Sequence, residues 1–341
     1  MDNVLIIAEA GVNHNGDMVL AKELIDIAKE SGADIVKFQS SKLDKLVSKT
    51  AEKASYQKVN TRDTSQSQYE MVKRLTFDLE TVLEISEYSN KKGIKFLSTP
   101  FDIDSIQELL DNSLIDLIKI PSGEIVNLYY LEYISHLDLP VIMSTGMSYL
   151  SEIESALKIL ISNNLNLDDI TILHCNTEYP TPMEDVNLKA MQTIGDAFKV
   201  DVGYSDHTLG IEVPIAAVAM GAKVIEKHFT IDRNMEGPDH AASLEPDELK
   251  LMVSGIRNIE KAISGTGIKQ PSNSELKNID IARKSLHTAN PLRKGQSIVA
   301  KDIIPLRPGT GISPMDINKI IGLKVNRDIS VGEVLKFEDF R

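Results

Sequence analysis

A chain of 341 residues with 42% apolar side chains has enough material for one large core and a smaller companion domain, and it contains no apolar stretch long enough to span a membrane. With 37 basic against 50 acidic residues the formal charge is −13, which disfavours nucleic acid as a partner because binding a phosphate backbone needs a basic surface. A single cysteine, Cys175, excludes an internal disulfide and fits a reducing compartment, so the cytoplasm is the expected location.

Eight short apolar runs, each ending in glycine, polar or charged residues, punctuate the first 230 residues. The first, residues 4–11 (VLIIAEAG), starts so early that no signal peptide is expected. Helical periodicity follows over 18–31, then a second run at 35–40 (IVKFQS). The next connection, 41–94, is far longer than one helix requires; its stretch 50–73 is polar, Gln/Ser-rich and carries Tyr56 and Tyr69. Long loops at a barrel's catalytic face are usually functional, so a lid or substrate wall is predicted there rather than a bare surface excursion. A helix over 78–92 leads to runs at 95–100 (KFLSTP), 117–123 (LIKIPSG) and 140–146 (PVIMSTG). A helix over 151–162 and runs at 170–176 (ITILHCN), 200–206 (VDVGYSD) and 223–229 (KVIEKHF) complete the series, before a helix over 245–264. Strand followed by helix, eight times over, predicts an α/β fold of the (β/α)8 TIM-barrel type across residues 1–264, with chemistry at the C-terminal ends of the strands.

Beyond the barrel, residues 265–283 read as a linker, with a Gly/Pro/Ser-containing part and a short charged helix. From 284 to 341 the texture is β-rich, with several glycines and a weak internal repeat. Leu292-x-x-Gly295-x-x-Ile298-x-x-x-Asp302-Ile303 is matched by Ile329-x-x-Gly332-x-x-Leu335-x-x-x-Asp339-Phe340. Equal spacing predicts two pseudo-symmetric lobes of one small domain, close to the lower size limit for independent folding and so expected to dock on something.

The predicted strand ends carry Glu9, Lys37, Thr99, Lys119, Ser122, Glu124, Ser144, Asn176, Ser205, His207 and His228. His207 and His228 close neighbouring strands with Glu9 beside them; each histidine alone reads as an ordinary hydrogen-bonded core residue, but the pair predicts a divalent-metal site without thiolate, suited to Mn2+, Mg2+, Fe2+ or Co2+ as much as zinc. Lys37 and Lys119 follow β-branched residues inside strands and make a local positive pocket in an acidic protein. They read either as Schiff-base lysines or as a clamp for phosphate and carboxylate; the surrounding hydroxyls and amide of Thr99, Ser122, Ser144, Asn176 and Ser205 favour the clamp. Glu124 reads as an ion-pair partner of the lysines or as a general acid/base. Cys175 neighbours His174, but adjacent strand residues face opposite sides, so a packed thiol is expected and not a Cys–His nucleophile. Residues 233–240 (RNMEGPDH) suggest another pocket wall, and Arg307, on a Pro-Gly turn, is presented outward where its planar fork suits a carbonyl or carboxylate oxygen.

The segments AEAGVNHNGD (8–17), VKFQ (36–39), FLSTPFD (96–102), KIPSGE (119–124), STGM (144–147), LHCNTEYPTP (173–182), GYSDHT (203–208), EKHFT (226–230) and GPDH (237–240) resemble the sialic acid synthase family, and RPGTGISP (307–314) resembles its antifreeze-like (SAF) domain. The resemblance runs through essentially the whole chain in order. It implies condensation of phosphoenolpyruvate with the open-chain form of an N-acetylated mannosamine, giving a nine-carbon 2-keto sugar acid and phosphate. It implies that His207 and His228 bind a divalent metal, Mn2+ or Mg2+ being the expected ion, and that Lys37, Thr99, Lys119, Ser122, Ser144 and Ser205 hold phosphoenolpyruvate. Glu124 would be the acid/base, with Glu9 and Lys119 also catalytic. Gln39, Tyr179 and Asp239, with Glu9, would orient the sugar or water, and Arg307 would reach the N-acetyl group from a partner subunit of a domain-swapped homodimer. Some relatives carry Asn at the position of Thr177, whereas here Asn176 comes one residue earlier; Asn176 is taken as the contact. Two acceptors remain open, N-acetylmannosamine and 2,4-diacetamido-2,4,6-trideoxymannose. The rival readings are a metal-independent Schiff-base aldolase and a non-catalytic carbohydrate-binding protein.

Overall fold

In the computed structural model, which describes residues 3–61 and 67–341, the eight apolar runs form eight parallel strands. The chain divides into two compact units, Met1–Ser264 and Gly265–Arg341. In the first unit β1 (Leu5–Gly11) is followed by α1 (Met18–Ser31) and β2 (Ile35–Ser40). The long connection then holds α2 (Leu43–Leu46), α3 (Ser55–Asn60), α4 (Gln68–Leu75) and α5 (Leu79–Lys92) before β3 (Lys95–Pro100). Residues 62–66 of the expected wall lie outside the described residues. The alternation continues with α6 (Ile103–Asp111), β4 (Ile118–Ile120), α7 (Leu128–Ser135), β5 (Val141–Ser144), α8 (Leu150–Leu160), β6 (Ile170–Cys175), α9 (Lys189–Phe198), β7 (Asp201–Asp206), α10 (Glu212–Ala219), β8 (Val224–His228) and α11 (Pro246–Ile263).

Strand order is β3-β2-β1-β8-β7-β6-β5-β4, and the two end strands β3 and β4 also pack side by side, so the sheet is a nearly closed barrel. The strands form where β-branched and aromatic residues are buried on both faces, as in Ile35, Val36 and Phe38 of β2, and the helices cover them with Leu24, Ile25, Ile85, Ile106 and Leu131. Short polar side chains start the helices: Asp78 accepts from the Thr81 amide at 2.9 Å and Asp102 from the Ser105 amide at 2.8 Å. β4 is shorter than the run 117–123 suggests because Pro121 has no N–H to give a ladder, and Ser122–Glu124 turn into a single 3-10 turn instead. No helix among the described residues is long and apolar enough to cross a membrane.

The second unit contains α12 (Asn273–Ala282), whose Asp280 carbonyl accepts from the Gly309 amide at 2.7 Å, so the stretch expected as a linker packs within this unit. β9 (Ser285–Thr288) pairs antiparallel with β10 (Ile303–Leu306) over a small core that includes Leu286, Leu292, Ile298, Val325, Ile329 and Leu335. The internal repeat is visible in the backbone. Leu292 and Ile329 exchange both amide–carbonyl bonds at 2.9 Å, and Gly295 and Gly332 share the left-handed conformation at φ 83° and 81°.

Candidate functional site

Parallel register sets neighbouring strands on one level. Glu9 of β1 stands beside Lys37 of β2 on one side and His228 of β8 on the other; Gln39 stands beside Thr99, and Ser205 of β7 beside Glu226 of β8. Since side chains alternate, Lys37 and Gln39 share one face of their strand, as do Glu226 and His228. The β1–β2 register shifts between Glu9 and Gly11, where Gly11 takes φ +51°. A Cβ there would sit 3.2 Å from Glu9 Oε1 and His228 Cε1 and 3.3 Å from Gln39 Nε2, so the bulge needs glycine for space as well as for conformation.

At the centre lies a buried charge cage. Lys37 Nζ is 2.8 Å from Glu9 Oε2 and 3.5 Å from Glu226 Oε2, and donates to Thr99 Oγ1 at 2.7 Å. Lys119 Nζ donates to Ser144 Oγ at 2.7 Å and lies 3.6 Å from Glu226 Oε1, which also accepts from Ser205 Oγ at 2.9 Å. Gln39 Nε2 donates to Glu9 Oε1 at 3.0 Å. Burial pushes the Glu226 carboxyl up, but Lys119 and Lys37 together pull it down to about 2, and so it is firmly ionised. The Glu9 carboxyl is raised by burial and by Glu226, against the pull of Lys37. Burial likewise opposes the Lys37 charge, yet Glu226 and Glu9 outweigh it and raise the ammonium. For Lys119 burial prevails, aided by Lys37, and the ammonium is lowered. Two buried ammonium groups among hydroxyls are the donor chemistry a phosphate or carboxylate needs, although Glu9 and Glu226 hold part of that capacity here.

Across the cavity two imidazoles face each other, His207 and His228, with ring centroids 5.3 Å apart. His207 Nδ1 bonds the Asn176 carbonyl, which leaves Nε2 as the atom facing Tyr179 OH at 3.0 Å. His228 Nδ1 is buried with no hydrogen-bond partner among the described residues; its nearest acid is Asp239 Oδ2 at 3.8 Å. Burial lowers His207 to about 4 and His228 well below its usual value, His207 and Lys37 adding to the latter, so both rings are neutral at physiological pH. Neutral rings, one fixed by a backbone carbonyl through its other nitrogen and one with an unsatisfied buried nitrogen, suit a divalent cation. Among the described residues no group of three or more His, Cys, Asp or Glu side chains is gathered to hold an ion alone. His207 and His228 are the side chains that would hold such an ion, with any further ligands coming from outside this pair. Asp239, raised to about 7 by burial and by Glu9, completes this corner.

A cavity of about 540 Å³ joins cage and histidines, and is lined by Glu9, Lys37, Gln39, Thr99, Lys119, Ser122, Ser144, Tyr179, Ser205, His207 and His228 of the expected set. Four expected residues are absent from that lining: Asn176, Glu124, Arg307 and Asp239. Asn176 is replaced on the cavity wall by Thr177; its side chain accepts from the Glu178 amide at 2.7 Å and its carbonyl orients His207. Glu124 sits one residue past the lining Ser122-Gly123 turn, half-buried, accepting from Asn127 Nδ2 at 2.6 Å. Arg307 belongs to the second unit and is exposed there. The long connection does supply a wall: Tyr56 stacks on Tyr179 with centroids 5.0 Å apart, while Tyr69 is tied to Asp44 at the surface. From the run 233–240, Pro238 and Asp239 border an adjoining space. Cys175 is buried against Ser122 Oγ at 3.3 Å, burial raising its thiol, and His174 turns away to the Val186 carbonyl. Sequence reasoning missed Glu226 as a site residue, although its spacing of two from His228 on one strand points it inward.

The NeuB family profile matches residues 24–269 and the SAF domain profile residues 283–341. The chain is 52% identical to an N,N'-diacetyllegionaminic acid synthase of Campylobacter jejuni, covering 98% of this chain and all of that one. It is 51% identical to the synthase of the same name from Legionella pneumophila, covering 98% and 93%. Among solved structures, an N-acetylneuraminic acid (sialic acid) synthetase of Leptospira borgpetersenii in complex with citrate superposes with a TM-score of 0.68 at 36% identity, covering 82% of this chain and 90% of that one.

Proposed function

Because the chain belongs to the NeuB family, we propose that it condenses phosphoenolpyruvate with 2,4-diacetamido-2,4,6-trideoxymannose and water, giving N,N'-diacetyllegionaminate and phosphate. The family, at this level of identity, sets aside the Schiff-base aldolase and the inert binding protein. N-acetylmannosamine, which would give N-acetylneuraminate, is the second acceptor to test. The observation that carries the reading is the single cavity in which two buried lysines with aligned hydroxyls face a pair of neutral imidazoles.

Lys37 and Lys119, with Thr99, Ser122, Ser144 and Ser205, would hold the phosphate and carboxylate of phosphoenolpyruvate. His207 and His228 would hold a divalent cation, Mn2+ or Mg2+, which when bound supplies Lewis-acid polarisation of the sugar aldehyde. Gln39 and Tyr179 would orient the sugar, and Asp239, titrating near neutrality, would carry a proton at its carboxyl beside the acceptor. C3 of the enol ether forms the new bond to the aldehyde carbon; water adds at C2, and the tetrahedral intermediate expels phosphate. Glu9, its carboxyl raised, would hand a proton to the new hydroxyl, and Glu124, one residue past the lining Ser122-Gly123 turn, would take one from the water. Burial by the surrounding barrel excludes bulk water and so strengthens each of these interactions.

Val126, Tyr129, Met147 and Tyr149, exposed apolar side chains in the segments just beyond β4 and β5, support a homodimer, in which the partner subunit's Arg307 would meet the N-acetyl group. A phosphorylated metabolite as substrate and a lone reduced thiol suit the cytoplasm. The test is phosphate release from phosphoenolpyruvate with each sugar, with and without EDTA. Release with the diacetamido sugar that EDTA abolishes and Mn2+ or Mg2+ restores is expected; no release with either sugar under any divalent metal would overturn the proposal.

A further inference from the structure

A second chamber of about 350 Å³ adjoins the first, and Gln39, Tyr56, Tyr179 and His228 line both. Their chemistry differs. The first chamber is built from charges and hydroxyls, whereas the second, though Ser41, Gln57 and Asp239 also border it, has an aliphatic side formed by Leu46 and Val47 at the end of α2 and by Met71, Val72 and Leu75 of α4. Met71 and Leu75, four apart on one helical face, are buried, while Lys73 and Arg74 of the same helix are exposed. Polar groups bordering the aliphatic wall are largely spent. Thr76 Oγ1 donates to the Val72 carbonyl at 2.9 Å, and Gln57 Oε1 accepts from the Ala54 amide at 2.9 Å. Gln68 borders both chambers, and its side chain makes no hydrogen bond among the described residues.

The condensation itself has no use for this wall. On the synthase reading phosphoenolpyruvate occupies the lysine cage and the acceptor's aldehyde carbon lies at the histidines, of which His228 borders both spaces. The second chamber, sharing Gln39, Tyr179 and His228 with the first, is within reach of the far end of a six-carbon acceptor. We propose that the second chamber receives that far end and that Leu46, Val47, Met71, Val72 and Leu75 select a C6 methyl over a C6 hydroxymethyl, with the Gln68 amide meeting the C4 acetamido carbonyl. This inference rests on the synthase reading and refines it to the acceptor's substituents. A hydroxyl on the aliphatic wall gives up its water without a replacement partner, while a methyl gains from leaving water.

The experiment compares kcat/KM for N-acetylmannosamine, its 6-deoxy analogue and 2,4-diacetamido-2,4,6-trideoxymannose in the wild type, Val72→Thr and Met71→Gln. Wild type should prefer the 6-deoxy analogue to N-acetylmannosamine by about 10-fold or more, the scale on which a hydrophobic pocket discriminates small substituents. Both variants should shrink that preference through the KM for the sugar, with the KM for phosphoenolpyruvate unmoved. Val72→Thr preserves shape, so it decides the matter should Met71→Gln melt early. Turnover without preference in the wild type, or a preference unchanged in Val72→Thr, overturns the inference while leaving the synthase reading intact. Absence of turnover with all three sugars overturns both.

Discussion

Between Lys37 and Lys119 the Glu226 carboxylate has no bulk water to share its charge with, and burial alone would raise it; the two cations hold it ionised. For Lys119, Glu226 is the carboxylate within ion-pair distance among the described residues, whereas Lys37 also has Glu9. Removing one partner from a buried charge set leaves the others uncompensated and costs about 3–5 kcal/mol. Glu226→Gln should therefore unfold at lower denaturant when ligand-free, yet gain a larger rise in melting temperature from phosphoenolpyruvate than the wild type does, since the ligand's anions replace the lost charge. Melting curves with and without phosphoenolpyruvate check this; an equal rise in both proteins would mean that Glu226 and the ligand do not share the lysines. Glu226 was legible in principle, two residues from His228 on a strand.

At the scale of elements, Gly11 shows how one backbone position protects the site. A methyl group there presses on Glu9, His228 and Gln39 at once and carries the strain of a left-handed alanine. Gly11→Ala should cost on the order of 1–2 kcal/mol of stability and lower kcat/KM by a larger factor than that destabilisation explains. Steady-state kinetics beside thermal melting separates the two effects, and full activity in a folded variant would refute the crowding. The barrel was readable because the same alternation of buried strand and amphipathic helix recurs; β2 and β3 match their runs residue for residue. Reading failed where strands end. Asn176 follows Cys175, the last residue of β6, and Glu124 lies on the 3-10 turn after Pro121. In both places the chain has left the period of two that says where a side chain points, so the sequence did not show that Thr177, beside Asn176, lines the cavity or that Glu124 stands one residue past the lining. The aliphatic wall on α4 was hidden for a different reason, since an apolar stripe on a short helix is indistinguishable from ordinary core until the space beside it is seen.

For the whole molecule, acid should be the sensitive direction for two histidines of the barrel unit. Burial lowers both His14 and His240 to about 4, from a usual 6.5. The folded state keeps them neutral while the unfolded chain takes up protons below 6.5, so their contribution is complete above 6.5 and is lost as the pH falls towards 4. Asp239 acts oppositely: raised to about 7, it keeps its proton in the fold and loses that stabilisation as the pH climbs from 3.8 to 7. The two trends overlap, so the informative quantity is a difference. His14→Gln, which cannot take the proton, should lose less stability than the wild type between pH 6.5 and 4.5, by on the order of 1–3 kcal/mol. Parallel pH profiles of melting temperature for the two proteins would rule the histidine out. In the second unit, the mutual amide–carbonyl exchange of Leu292 and Ile329 has a genetic consequence. Each half of the repeat supplies the other's missing edge, so a stop codon shortly before Ile329 strips Leu292 of its partner even though every residue of α12, β9 and β10 is still translated. Such a late nonsense allele would be as harmful to this unit as one at its first residue.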